Sequence, residues 1–494
     1  MRTACPTSFV GMWVPAVHAD CPHNQVASLL KRTLGPVPDP VHEPVGPTVK
    51  AVFSRLRALA ARSGVSRWSL RRTAESYKGA LGRRYMEAER SLRVDGPVNS
   101  GDTYLRPFLK AEKVKVMDKQ SKPRMIFPRS PRYNLSIASR LKPFEHWVWG
   151  RLTTQVVLGT GVGRVVAKGL NPRQRANLIV RKFRALDDCV CVEVDGKAFE
   201  AHVGEDQLLE EHGVYEAAFP GDWELQRLLR VQLSLRGKLP CGAEFTRPGG
   251  RASGDFNTGM GNSLIMLAVV GAVMKELAPG AFDLLVDGDN ALVFMPRGLL
   301  GLVRANFERR VLEVSGHEIQ LESPCSVIEE IRFGQSAPIN LGGSRGWTMV
   351  RDPRKVISQA LSSHRWLREP TFASEWIRGV AACELSLSRG VPVLQAWSAS
   401  LQRVYGGPGG VREHPHTDYF YQGAWFADVS QSVEVTQQAR ISFWAAFGVA
   451  PDEQLALEGG AFEPSSEDYE RVVLESFQWR DMPPGVAEPL ADSL

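Results

Sequence analysis

At 494 residues with 43% apolar content, the chain carries enough hydrophobic material for one large core or for two to three subdomains sharing one, which excludes a disordered protein. The net charge of +6 is modest, but lysine and arginine crowd between Lys50 and Lys182, a basic stripe that suits a polyphosphate or nucleic acid as well as a solvated surface. Seven cysteines at irregular spacing argue against a disulfide framework and fit a reducing compartment.

The first residues, MRTACPTSFVGMW, lack an apolar signal core. His18, Cys21 and His23 lie close together, but no second ligand pair stands at zinc-finger distance, so zinc is not expected. The proline-rich GPVPDPVHEPVGP at 35–47 reads as an extended linker or strap. Residues 48 to 94 have helical spacing and many arginines. The basic segment from Tyr104 to Asn134 is broken by prolines and therefore extended and loop-like. Within it Lys122, Arg124 and Arg129, near Lys110 and Lys113, offer guanidinium and ammonium groups that could clamp a triphosphate and neutralise a leaving pyrophosphate. Residues 135 to 188 are again helical, interrupted by LGTGVGRVVAKG, a turn whose glycine spacing fits a dinucleotide fingerprint poorly.

Three elements carry the chemistry. In VCVEVDGKAFEAH (190–202) an apolar strand delivers Asp195 to its end, and in LLVDGDNALVF (284–294) a hairpin turn carries Asp289 and Asn290 between two apolar runs. Between them SGDFNTGMGN (253–262) places Ser253 and Gly254 ahead of a helix, with Thr258 and Asn262 four apart on one face, able to read a ribose without adding charge. Two carboxylates on neighbouring strand ends can hold two divalent cations about 3.5–4 Å apart, as nucleotidyl transfer needs. The apolar run LIMLAVVGAV (264–273) is too short to span a bilayer and reads as a buried helix, so no intrinsic transmembrane span is expected. Beyond Arg351 the chain is helical and aromatic, with an acidic tail from Asp452 to Asp492.

This set resembles the RNA-dependent RNA polymerases of tombusvirus-like positive-strand RNA viruses and their nodavirus-like relatives. SYKGALGRRYMEAERSL, FLKAEK, KPRMIFPRSPRYNLSIASRLKPFEH, KGLNPRQRANLIVRKF, IRFGQSAP and WTMVRDPRKVIS all look like that family's segments, in order, from about residue 75 to about residue 360. The resemblance implies an α+β right-hand fold: an N-terminal segment and linker (1–47), fingers and fingertips (48–188), a palm of antiparallel sheet plus helices (189–345) with an inserted fingers segment at about 204–250, and a thumb with the acidic tail (346–494). It implies metal ligation by Asp195 and Asp289, with Asn290 completing the catalytic turn. Lys122, Arg124 and Arg129 would line the nucleotide channel, and Glu200, Ser253, Gly254, Thr258 and Asn262 would bind the nucleotide and its ribose, Glu200 acting through Asn262. Lys110, Lys113, Phe333, Gln335, Arg351 and Arg354 would contact RNA.

The sequence departs from the family's pattern at three positions. Asn290 replaces the second aspartate of the usual Gly-Asp-Asp turn, Glu200 replaces an aspartate, and Gln320 stands where a lysine thought to protonate pyrophosphate often lies. The expected activity is template-directed RNA synthesis from nucleoside triphosphates with two Mg2+ or Mn2+ ions. Template and product RNA are the expected partners, together with a viral or host protein that tethers the chain to membrane-associated replication complexes in the host cytoplasm. A catalytically degenerate polymerase fold that only binds RNA is the alternative, and a reverse transcriptase is disfavoured by the absence of an aromatic-x-Asp-Asp turn.

Overall fold

The computed structural model describes residues 2–3, 11–13, 15–38, 44–115, 122–363, 370–405 and 432–459. Most of the acidic tail lies outside them.

The linker ends at helix α1 (Pro47–Ala60), where Pro47 occupies the first turn, a position whose amide would be unpaired in any case. Its buried residues Val49, Val52, Phe53, Leu56 and Ala60 recur at three- and four-residue spacing and make one apolar stripe. Helix α2 (Gly79–Val94) follows, and the basic segment then runs as irregular chain with a short pairing of Phe108–Leu109 against Met125–Ile126. Helices α3 (Pro131–Arg151) and α4 (Pro172–Arg184) flank the glycine run. That run is a turn-rich loop with Gly159, Gly161 and Gly163 at positive φ. Gly161 and Gly163 are packed against the side chains of Asp283 and Arg181, which leaves no phosphate cradle there.

A four-stranded antiparallel sheet forms the centre. Strand β1 (Cys189–Gly196) is followed by helices α5 (Glu205–Ala218) and α6 (Trp223–Arg230), then by a hairpin of β2 (Ser234–Lys238) and β3 (Glu244–Pro248). Helix α7 (Thr258–Leu277) precedes β4 (Asp283–Asp287) and β5 (Asn290–Pro296), and helix α8 (Leu300–Ser315) leads to β6 (Ile319–Leu321). The strand order is β6-β1-β5-β4.

Period-two alternation sends Val190, Val192, Val194, Val286, Ala291 and Val293 into the large core beneath α7 and α8. Cys191, Leu285, Leu292 and Phe294 pack on the other face against Ile179 of α4, Phe333 and Met349. With both faces covered, the sheet's functional groups can emerge only at its ends.

Helix α7 is longer than the apolar run that marks it. Its 20 residues are long and apolar enough to cross a membrane, yet 83% of that stretch is buried inside the protein, as expected of a core helix. C-terminal to the sheet, a hairpin of β7 (Ser336–Asn340) and β8 (Trp347–Arg351) joins helices α9 (Pro353–Ala360), α10 (Pro370–Ser388), α11 (Leu394–Tyr405) and α12 (Gln437–Phe447) around a second core that includes Trp376 and Trp397.

Candidate active site

At one end of the sheet four residues stand in a row across four strands. Gln320 pairs with Asp195, Asp195 with Asn290, and Asn290 with Asp287. Asp289 sits beside this row in the two-residue turn between β4 and β5, where Gly288 takes φ +68°, a conformation that costs other residues about 1 kcal/mol or more. The Gly288 amide donates to Ser263 Oγ of α7 at 2.9 Å, so the helix fixes the turn. Glycine at 196 makes room for the Phe199 ring, since a Cβ there would lie 2.8 Å from it.

The acidic groups at this edge divide into two kinds. Asp287 is bracketed by Lys168 Nζ at 2.7 Å and Arg175 Nη2 at 2.6 Å. Burial pushes its pKa up, but the two cations prevail and hold it below the usual carboxylate range. Asp195 and Asp289 have no ion-pair partner among the described residues. Burial and then the charge of Glu322 raise Asp195, and burial, then Glu200, raise Asp289. Glu193, two residues before Asp195 on the same face, is pushed up to about 7 by burial, then Asp195 and Glu322.

An uncompensated carboxylate pair of this kind fits divalent cations. Among the described residues no three His, Cys, Asp or Glu side chains converge to enclose a metal. A cation here would take one or two protein carboxylates and fill its shell with substrate oxygens and water, as magnesium commonly does.

The SGDFNTGMGN segment is held from behind by a buried polar network. Arg251 pairs with Glu211 of α5, both fully buried, and its Nε donates to Asn262 Oδ1 at 3.0 Å. Glu211 also accepts from Tyr215 Oη at 2.6 Å and from Asn257 Nδ2 at 3.0 Å. A Cβ at Gly261 would fall 2.2 Å from Glu211 Oε1, so glycine is what lets α7 seat on this pair.

The expected Glu200–Asn262 partnership is therefore replaced. Asn262 is 4% exposed and turned to Arg251, while the Glu200 side chain faces Arg124, 3.7 Å from its Nη2. Glu200 is linked to Asn262 only indirectly, through its carbonyl, which accepts from the Arg251 amide at 2.8 Å. The Thr258 hydroxyl bonds the Ala252 and Asp255 carbonyls, and Ser253 Oγ reaches the Met125 carbonyl at 3.4 Å. Gly254 serves a close approach: a Cβ would stand 2.5 Å from Pro128 N, so the basic segment lies directly on this loop.

The basic residues are also sorted. Lys122 is exposed, and Arg124 is part-exposed at the cleft. Arg129 is 4% exposed and not in the cleft: its guanidinium pairs with buried Asp255 and donates to the Thr103 and Val231 carbonyls, so it holds the loop rather than facing a triphosphate. Of the residues expected to contact RNA, Phe333 is 1% exposed, packed in the core under the Arg175 guanidinium. Its ring belongs to the core cluster with Ile179, Leu292 and Met349. Gln335 is exposed at φ +62° and accepts from Lys355 Nζ. Lys110 pairs with Glu112, Lys113 donates to the Gln359 carbonyl at 2.7 Å, Arg351 pairs with Glu384 at 2.6 Å and Arg354 donates to the Phe447 carbonyl at 3.1 Å.

Sequence reasoning missed Asp287, Lys168, Arg175, Arg251 and Glu211. Asp287 was legible as the residue that a β-hairpin places opposite Asn290. The other four have no local signature, because their partners lie tens of residues away.

The model of a family described as viral RNA dependent RNA polymerase matches residues 15–465. The chain is 32% identical to the RNA-directed RNA polymerase of Tomato bushy stunt virus (strain Cherry), over 77% of this chain and 46% of that protein. It is 32% identical to that of Turnip crinkle virus over 84% of this chain and 52% of the relative, and 31% identical to that of Cymbidium ringspot virus over 90% and 53%. The chain thus spans about half the length of these curated relatives.

Proposed function

We propose, since this chain belongs to the viral RNA-dependent RNA polymerase family, that it synthesises RNA on an RNA template, adding nucleoside monophosphates from triphosphates. The observation that carries this reading is the sheet edge where Asp195 and Asp289 lie near enough for the charge of Asp195 to raise Asp289, neither with an ion-pair partner among the described residues and with only the charge of Arg124 opposing on Asp289. A noncatalytic RNA-binding relative would have no use for two uncompensated carboxylates at that cost.

Asp195 and Asp289 would hold the divalent cations, Mg2+ or Mn2+, whose chemistry would be to lower the pKa of the 3′ hydroxyl and to offset charge on the triphosphate. Lys122 and Arg124 bind the triphosphate and offset the negative charge that moves onto the leaving pyrophosphate. Ser263 and Gly288 keep the Asp289 turn in register with Asp195. The network behind Asn262 keeps the ribose-facing loop rigid, which orients substrate without a conformational cost at each addition.

In this reading residues 48–188 form fingers, 189–345 the palm with a fingers insertion near 204–250, and 346–494 the thumb and the acidic tail, most of which lies outside the described residues. Template and product RNA run past Lys110, Lys113, Gln335, Arg351 and Arg354, each placed on the surface or beside the C-terminal helices. Replication takes place in the host cytoplasm, on membranes reached through a tethering partner. Incubation of the purified protein with an RNA template and labelled NTPs, with Mg2+ and Mn2+ compared, tests the proposal. Full-length complementary RNA is expected, and its absence with both metals would overturn the reading.

A further inference from the structure

The N-terminal segment does more than strap the chain together. Helix Pro22–Ser28 widens into a single π turn at Leu29–Thr33, a local geometry that occurs frequently at functional sites. Leu29 packs with Leu105, Met125, Phe127 and Phe245, beneath the basic segment. Gln25 Oε1 accepts from the Cys241 amide at 2.9 Å, and Arg247 bonds both the Thr33 carbonyl and, at 2.8 Å, the carbonyl of Ala201, the residue after Glu200. The turn is thereby fixed against the nucleotide side of the site.

Arg32 projects from this turn into a narrow cleft that it lines together with Arg124, Glu200, Arg251 and Ser253. Its Nη2 donates to the Lys122 carbonyl at 3.2 Å, while its Nε is buried with no hydrogen-bond partner. An unmet guanidinium N–H is costly, and a second guanidinium nearby adds like-charge repulsion. Burial, then Arg124, hold Arg32 below the usual arginine range. Glu112 and Glu200 act in the opposite sense on Arg32, an anion in the cleft adds to their effect, and two guanidinium groups lining one cleft favour a polyphosphate.

We propose that Arg32 is a nucleotide-binding residue of this site, its guanidinium turning in the cleft to engage, together with that of Arg124, the triphosphate of the incoming nucleotide. The inference rests on the polymerase reading for the identity of the nucleotide, and it makes residues before the linker part of the active site. It also accounts for the tight stapling of an N-terminal segment to residues 201 and 241.

The test compares the full chain with Arg32→Gln, which removes the charge and keeps a neutral amide donor on a shorter side chain, and with Arg32→Lys, which keeps the charge. In template-directed synthesis Arg32→Gln should raise KM for NTP about tenfold or more, with kcat, template Kd and melting midpoint nearly unchanged, and Arg32→Lys should recover part of the loss. A wild-type KM would overturn the proposal, and so would equal losses of template affinity and melting midpoint, the signature of a structural strut. Calorimetric binding of inorganic tripolyphosphate to the same proteins reads Arg32 without RNA synthesis. Should the wild type make no RNA, the polymerase reading fails, whereas weaker tripolyphosphate binding by Arg32→Gln still supports the anion site and equal binding removes it.

Discussion

Arg251→Met should be among the most destabilising single changes in the central region. Arg251 and Glu211 are both fully buried, and Met removes the only cation paired with the Glu211 carboxylate among the described residues. Breaking one partner of a buried pair costs about 3–5 kcal/mol, because the remaining charge keeps its desolvation penalty. Tyr215 Oη and Asn257 Nδ2 still donate to Glu211, which places the expected loss near the lower end, about 3 kcal/mol. The second change Glu211→Gln removes the stranded charge while its carbonyl still accepts from the same donors. The double variant should therefore regain about half of the loss or more. Urea denaturation followed by tryptophan fluorescence measures each variant. The same proteins should discriminate NTP from dNTP less well, because Asn262 Oδ1 loses the Nε–H that orients it. A loss under about 1 kcal/mol for Arg251→Met, or a double variant worse than either single, would refute the argument that this pair carries the loop.

Asp195→Ala and Asp289→Ala should each abolish nucleotide addition while template binding, read by filter retention, changes little; synthesis near wild-type rate from either would remove the cation assignment. Asn290→Asp inserts a carboxylate between its cross-strand neighbours Asp195 and Asp287: the melting midpoint should fall in EDTA, by the equivalent of about 0.2–1 kcal/mol, and half-maximal activity should need less Mg2+, whereas superimposable metal titrations would show that position 290 lies outside the cation's reach. Acid should unfold the protein through its arginine-paired carboxylates: burial pushes Asp102, Asp222 and Glu211 up, but hydrogen bonds and arginine partners prevail and hold each below its usual range. Their contribution is then complete above the unfolded carboxylate range, about pH 4, and is lost as pH falls through the lower folded values; a melting midpoint independent of pH between about 5 and 2 would contradict this.

Strand alternation and the hairpin turn made the sheet edge legible in the sequence. A period-two pattern in CVCVEVDG fixes which residues share the face of Asp195, and a two-residue turn after LLVD fixes the register that puts Asn290 opposite Asp287. What the sequence could not disclose depends on partners brought from afar. Arg129 and Arg124 are five residues apart in one basic loop, yet the first is sealed with Asp255 and the second reaches the cleft beside Glu200. Composition cannot separate them, since both are arginines in proline-rich context and only the docking of the loop onto Gly254 decides which one is covered.

The same docking explains why the extra methylene of Glu200 is tolerated. With Asn262 committed to Arg251, the acidic side chain of the short helix Phe199–His202 has no amide to meet and extends instead toward Arg124. A shorter aspartate at 200 would fall farther from that guanidinium, so the glutamate and the Arg251–Glu211 pair are coupled features of one arrangement. Substituting Glu200→Asp alone would weaken the Arg124 contact without releasing Asn262, because Asn262 is held by Arg251 and not by residue 200.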